Sequence, residues 1–196
     1  FNNLIERDYI KLIIMDKFIK MFNTFISDGI LEPIDFIFNI DINAKYEGKT
    51  LLHDACSNGR SNIVKYLIEK NAIVDIKKKK KKTPLHHLCI SKDCNICQLN
   101  AEDCRCGQDF EEVGKILIEN NANVNSKDCD GKTPLFDACQ YGNPAIVELL
   151  IEKGADVNVK NNDNETPLLN ACKYEMLKIV KLLIEKEADV NVKNNN

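Results

Sequence analysis

Residues 133–158 read TPLFDACQYGNPAIVELLIEKGADVN, and this stretch decides the fold. Thr133 is a good helix N-cap and Pro134 suits the first helical position, so a helix starts there. Ala138 and Cys139 keep that helix small on one side, which lets a neighbouring helix come close. A second helix follows, with apolar residues at Ile146, Val147, Leu150 and Ile151, the spacing of an amphipathic core face. It stops at Gly154, a residue type that accepts the left-handed C-terminal position. Val157-Asn158 closes the unit.

The unit repeats along the chain. Thr50-Leu51-Leu52-His53, Thr83-Pro84-Leu85-His86 and Thr166-Pro167-Leu168-Leu169 are further copies of its first phrase. The four threonines are 33, 50 and 33 residues apart, so the middle gap is one period plus an insertion of 17. The second phrase recurs around Leu67-Ile68-Glu69, Leu117-Ile118-Glu119 and Leu183-Ile184-Glu185, and the third at Val74-Asp75, Val124-Asn125 and Val190-Asn191. Asn71 and Asn121 take the place of Gly154. At Glu187 this signal is lost, and that helix end is expected to be less well formed.

A period of 33 with Thr-Pro-Leu-His resembles the ankyrin repeat. The resemblance implies an all-α ankyrin-repeat solenoid of stacked helix pairs with β-hairpin-like loops projecting at right angles. It places one array over residues 1–196. A helical lead-in and degenerate capping repeat take 1–43, with repeats at 44–76, 77–126, 127–159 and 160–192. The Cys-rich insertion falls at about 90–110, and 193–196 begin a further repeat. In the family the motif His hydrogen-bonds neighbouring loops; here it is His53 and His86, but Phe136 and Leu169 in the later copies. Leu51 replaces the motif Pro. The loop Gly is kept at Gly48 and Gly131 and becomes Lys81 and Asn164 elsewhere. Lysine adopts positive φ less readily than asparagine, so the second loop is expected to depart most from family geometry. The start at Phe1 and the matching VNVKNN at 157–162 and 190–195 suggest a piece of a longer array with a raw apolar end.

Composition narrows the function. Charge is 27 − 30 = −3, which argues against a general nucleic-acid binder. The apolar-richest stretch, 9–26, carries Lys11, Asp16, Lys17 and Lys20, so no membrane span is expected. No phosphate loop, nucleophile elbow or paired-carboxylate motif appears, and no enzyme is expected in this segment. His53 and His86 read as structural, and His87 as a surface residue of the same helix as His86.

The nine cysteines divide into groups. Cys56, Cys89, Cys139 and Cys172 each follow the motif Thr by six residues and read as buried, inert packing. Cys94, Cys97, Cys104 and Cys106 cluster in the insertion as C-x2-C-x6-C-x-C. Four thiolates suit a tetrahedral structural Zn²⁺, which can order a segment poor in apolar residues. Local disulfides or free thiols are the other readings, so the cofactor is either none or zinc. Cys129 reads as an exposed thiol at a loop tip. Lys77 to Lys82 form an unbroken lysine run, either an anion-seeking finger or a solvated loop whose like charges keep it mobile without a partner.

The resemblance implies a concave surface of loop tips and first helices that binds another protein, with the chain a monomer in the cytoplasm or nucleus. The family's variable surface positions carried across are Lys45, Tyr46, Glu47, Ser57 and Asn58, then Lys79, Lys80 and His87. Lys127, Cys129, Asp130, Gln140 and Tyr141 follow, then Lys160, Asn162, Asp163, Lys173 and Tyr174. The competing readings are a zinc-stabilised, basic-loop module contacting nucleic acid or another polyanion, and a regulatory segment of a larger enzyme.

Overall fold

The computed structural model describes residues 41–45, 48–78, 80–90 and 105–192, with side chains from residue 110 onward in the last segment. Eight helices lie in these residues. They are α1 (Leu51–Ser57), α2 (Ser61–Glu69), α3 (Pro84–Ile90), α4 (Arg105–Glu119), α5 (Pro134–Tyr141), α6 (Pro144–Glu152), α7 (Pro167–Lys173) and α8 (Leu177–Glu185). Among the described residues none is a strand of a ladder.

The helices stack in two layers. α1, α3, α5 and α7 pack in succession as an inner layer, and α2, α4, α6 and α8 as an outer one. Between the layers runs one apolar core. Leu52, Leu85, Leu135 and Leu168 enter it from the inner helices; Ile63, Leu67, Val113, Leu117, Ile146, Leu150, Ile179 and Leu183 enter from the outer ones. This is the periodicity of the sequence converted into burial: each helix contributes one stripe, and only a neighbouring unit can cover it. Gly114 marks a close approach, because a Cβ there would meet Leu149 Cδ2 at 2.8 Å.

The recurring third phrase has a mechanical role. Asn43 Oδ1 accepts from Ile73 N at 2.8 Å, Asn125 Oδ1 from Asp156 N at 2.9 Å, and Asn158 Oδ1 from Asp189 N at 2.8 Å. At the remaining junction the Asp75 carboxylate accepts from Asn123 N at 3.2 and 3.1 Å. The Asn or Asp of each unit thus caps a backbone N–H of the next, satisfying a donor left over after the outer helix.

Several expectations need correction. Lys81 takes φ +58°, the same value as Asn164, and its N–H reaches Lys78 O at 2.8 Å. The second loop therefore keeps the turn, at the steric cost of a side chain in the left-handed region. Lys78 N to Lys82 O at 3.0 Å closes the same turn. Glu187 likewise adopts φ +63°, and Ala188 N returns to Leu183 O at 2.9 Å, so the last outer helix ends as the others do. In both places local backbone bonds close the turn, and the neighbouring repeat adds a bond to it, Cys129 N to Lys80 O and Asn158 Nδ2 to Glu187 O.

Cys56, Cys89 and Cys139 are buried, and burial pushes their thiols upward. Cys172 is exposed instead. The first three are covered by the next inner helix; no described inner helix follows α7. Leu177, Ile184 and Val190 are exposed at the same end, 64%, 50% and 63%.

Candidate functional site

The inner helices and the loop tips form one face, and the motif histidines set its geometry. Thr83 N donates to His86 Nδ1 at 3.2 Å, and His86 Nε2 lies 3.2 Å from Lys132 O. A ring nitrogen that accepts from a backbone N–H must be bare, so the proton sits on Nε2 and is donated to Lys132 O. His53 repeats this between Thr50 N, at 3.2 Å, and Lys82 O, at 3.2 Å. Burial lowers both imidazoles to about 4 and keeps them neutral, which the pairing requires. Each histidine thus ties its helix start to the next repeat's loop.

The tips are joined to one another as well. Lys45 Nζ donates to Lys77 O at 2.8 Å, Cys129 N to Lys80 O at 3.1 Å, and Asn162 N to Asp130 O at 3.0 Å. Asn162 Nδ2 adds a bond to Cys129 O at 3.1 Å, and Lys127 Nζ reaches Lys160 O at 3.3 Å. Successive loops are therefore a hydrogen-bonded rail rather than independent fingers.

The structure places most sequence-predicted contact residues on this face. Lys45, Lys80, Lys127, Cys129, Asp130, Lys160, Asn162 and Asp163 are exposed along the rail. Ser57 and Asn58, at the end of α1, both turn back to Asp54 O, at 2.9 and 2.8 Å. Gln140 and Tyr141 are half-buried, whereas Lys173 and Tyr174 are exposed. The equivalent tyrosines thus differ: Tyr174 is 40% exposed. The Cys129 thiol lies 3.5 Å from Asp130 Oδ1 and is pushed upward by desolvation and that contact, so it is not an activated nucleophile. Tyr46, Glu47 and Lys79 lie outside the described residues, as do Cys94, Cys97, Cys104 and the side chain of Cys106. The backbone of Cys106 is in α4, which begins at Arg105, within the stretch assigned to the insertion.

His87 is not a surface residue. It is 7% exposed, its ring meets His53 edge-on at 5.1 Å, and Nε2 finds no hydrogen-bond partner among the described residues. Burial, then the charges of Lys78, His53, Lys49 and Lys82, bring it down to about 3. It faces back toward the preceding repeat, where the inner helices pack.

Sequence reasoning missed one buried ionic group. Lys82, last of the lysine run, points inward with its side chain 14% exposed. Its Nζ donates to Asp137 Oδ2 at 2.6 Å and lies 3.2 Å from Asp128 Oδ2, an ionic contact rather than an aligned hydrogen bond. Burial alone would lower the Lys82 pKa, but the two carboxylates outweigh it and hold it high. Burial in turn raises Asp137 to about 6 against the pull of Lys82. The only sequence signal was register: Asp137 follows Thr133 by four residues, where its counterparts are Asp54, His87 and Asn170.

No helix among the described residues is long and apolar enough to cross a membrane, and no group of three metal-ligating side chains occurs there. Comparison with known proteins places the architecture. A family model described as ankyrin repeats (3 copies) matches residues 19–108 and 104–194. Ankyrin repeat protein B18 of Vaccinia virus (strain Ankara) is 41% identical over 63 residues, covering 32% of this chain and 11% of that protein. Ankyrin repeat protein B19 of Vaccinia virus (strain Western Reserve) gives the same figures, 41% over 63 residues with 32% and 11% covered. Ankyrin repeat protein B18 of Variola virus (isolate Human/India/Ind3/1967) is 40% identical over 62 residues, with 32% and 11% covered. The matched segment spans about a tenth of these relatives' length. Ankyrin repeats are in general protein–protein interaction modules. With its period, its two helix layers and its histidine-tied loops, this chain belongs to the ankyrin-repeat family.

Proposed function

We propose that the chain binds a partner protein along the concave face made by its loop tips and inner helices, as an intracellular monomer in the cytoplasm or nucleus. The observation that carries this is the rail of tip-to-tip hydrogen bonds, Cys129 N to Lys80 O and Asn162 N to Asp130 O, which holds exposed polar side chains at set spacing. A surface ordered before binding loses little entropy when it binds. Tyr141 and Tyr174 supply the residue type enriched at interface hot spots.

The test is site-specific photo-crosslinking. Probes in place of Lys127 or Asp163, on the loops, are expected to capture partner; probes in place of Glu148 or Lys181, on the outer helices, are not. Tyr141→Ala with Tyr174→Ala is expected to weaken capture about tenfold with unchanged helicity. Capture from the outer helices alone, or capture indifferent to the double substitution, overturns the reading.

We also keep a structural Zn²⁺ on Cys94, Cys97, Cys104 and Cys106 as a proposal, supported by ligand number and spacing alone. Purified protein holding less than about a tenth of an equivalent of zinc overturns it.

A further inference from the structure

Three junctions join successive repeats, and each uses the same three positions. They are the residue before the motif Thr of one repeat, and the residues five before and four after the motif Thr of the next. At the second junction these are Lys82, Asp128 and Asp137; at the third, Lys132, Asn161 and Asn170; at the first, Lys49, Lys78 and His87.

The second junction is self-contained. One ammonium group meets two carboxylates, at 2.6 and 3.2 Å, and Asp128 Oδ1 also accepts from Asp130 N and Lys132 N, both at 2.9 Å. The third is self-contained at the two positions that carboxylates hold in the second, both of which are now amides. Asn161 Oδ1 accepts from Asp163 N at 3.0 Å and Glu165 N at 2.8 Å, and Asn170 Nδ2 donates to Phe136 O at 3.1 Å.

The first junction is not. Both carboxylate positions have changed, one to a second lysine and one to a histidine. Among the described residues, His87 Nε2 is buried without a hydrogen-bond partner. Among the described residues, no carboxylate pairs with Lys49 or Lys78. Lys49 and Lys78 both act on the His87 ring, and burial with the charges of Lys49, Lys82 and Lys80 lowers the Lys78 pKa. Lys49 is exposed and Lys78 half-buried, so the group opens on the loop side of the concave face.

From this juxtaposition we propose that the first junction receives a carboxylate from an acidic segment of the partner protein, seated between Lys49, Lys78 and His87. It does from outside what Asp137 does for Lys82 from within. The carboxylate oxygens accept charge-assisted bonds from the two ammonium groups, whose charge the neutral, buried His87 imidazole leaves uncancelled. The proposal rests on the interaction-module reading and names the chemistry of one subsite. A protein acid fits better than a nucleic acid because the basic strip does not continue. Beyond this junction the exposed loop charge is mixed, with Asp130 and Asp163 beside Lys127 and Lys160, whereas a phosphate chain needs successive cations.

The experiment measures fluorescence anisotropy of two labelled probes with the 196-residue chain: a short peptide alternating Glu and Gly, and a single-stranded oligonucleotide of equal charge. Lys49→Gln with Lys78→Gln is expected to weaken the peptide about tenfold, a loss typical of removing charge-assisted bonds. Lys80→Gln with Lys81→Gln removes the same charge from the loop tip and is expected to cost less than about threefold, as screened long-range attraction does. His87→Asp supplies the missing carboxylate from the chain itself, so it is expected to abolish peptide binding with helicity retained. Equal losses from both lysine pairs, indifference to His87→Asp, or no peptide binding overturns the proposal. So does an oligonucleotide that binds tighter with the same pattern of losses, which selects a polyanion instead. Partner crosslinking at Lys127 or Asp163 that survives Lys49→Gln with Lys78→Gln would overturn this subsite and leave the interaction-module reading standing.

Discussion

Lys82 and Lys49 hold the same place in successive repeats and meet opposite surroundings. Lys82 is buried against Asp137 and Asp128, while Lys49 is exposed and its charge, with that of Lys78, acts on the imidazole of His87. The backbone is alike in both places: Lys81 and Gly131 each turn at positive φ, and His53 and His86 each cross to the next loop. The scaffold thus specifies where three side chains meet but not what they are. Where they satisfy one another the junction is structure; where they do not, charge is left for something else to neutralise.

Acid should break this comparison hardest. All three histidines lie in the first two repeats, neutral in the folded chain and lowered to about 4, 4 and 3. Their contribution to stability is fully present above the unfolded value of about 6.5 and is lost as pH falls toward those folded values. From pH 6.5 to 5 that is about 2 kcal/mol for each histidine. Asp137, raised to about 6, acts in the other direction: its contribution is present below its ordinary value and lost as pH rises through 6. Hydrogen exchange at about pH 5 should therefore show amides of α1 and α3 opening before those of α5 and α7. Uniform loss of protection would contradict the division.

Removing the inner carboxylate makes the two junctions alike. Asp137→Ala leaves Lys82 and Asp128 in a site built for a compensated group, and should cost about 3 kcal/mol in urea unfolding. A change under about 1 kcal/mol would mean that Lys82 escapes to solvent and the ionic group contributes little. The smallest effect sharpens the loop side of the comparison. Asn161 accepts two loop N–H groups that Lys78 cannot, so Lys78→Asn should stabilise the second loop by about 0.5–1 kcal/mol. Greater exchange protection at Lys80 and Lys82 N–H would report it, and unchanged protection would show that the lysine turn is already closed.

Much of this was legible in the chain. Register alone located the helices, the apolar stripes and the structural roles of His53 and His86, because helical periodicity and stacking are both one-dimensional. Two turns were misjudged. Lys81 and Glu187 are poor left-handed residues by local preference, yet the bonds Lys81 N to Lys78 O and Ala188 N to Leu183 O hold them there. Cys172 was misplaced because its burial depends on a neighbour, not on its own repeat position. His87 was misplaced because one helical position can face solvent or the preceding repeat, and sequence gives no angle between repeats.

The sequence by itself determined the period, the two helix layers and the family, since each follows from spacing along one strand of chain. Only the tertiary structure decided which member of a uniform lysine run turns inward, and which junction has no carboxylate among the described residues. Those outcomes depend on distances of a few ångströms between residues more than fifty positions apart, such as Lys82 and Asp137, where burial sets the strength of a charge and no local pattern records it.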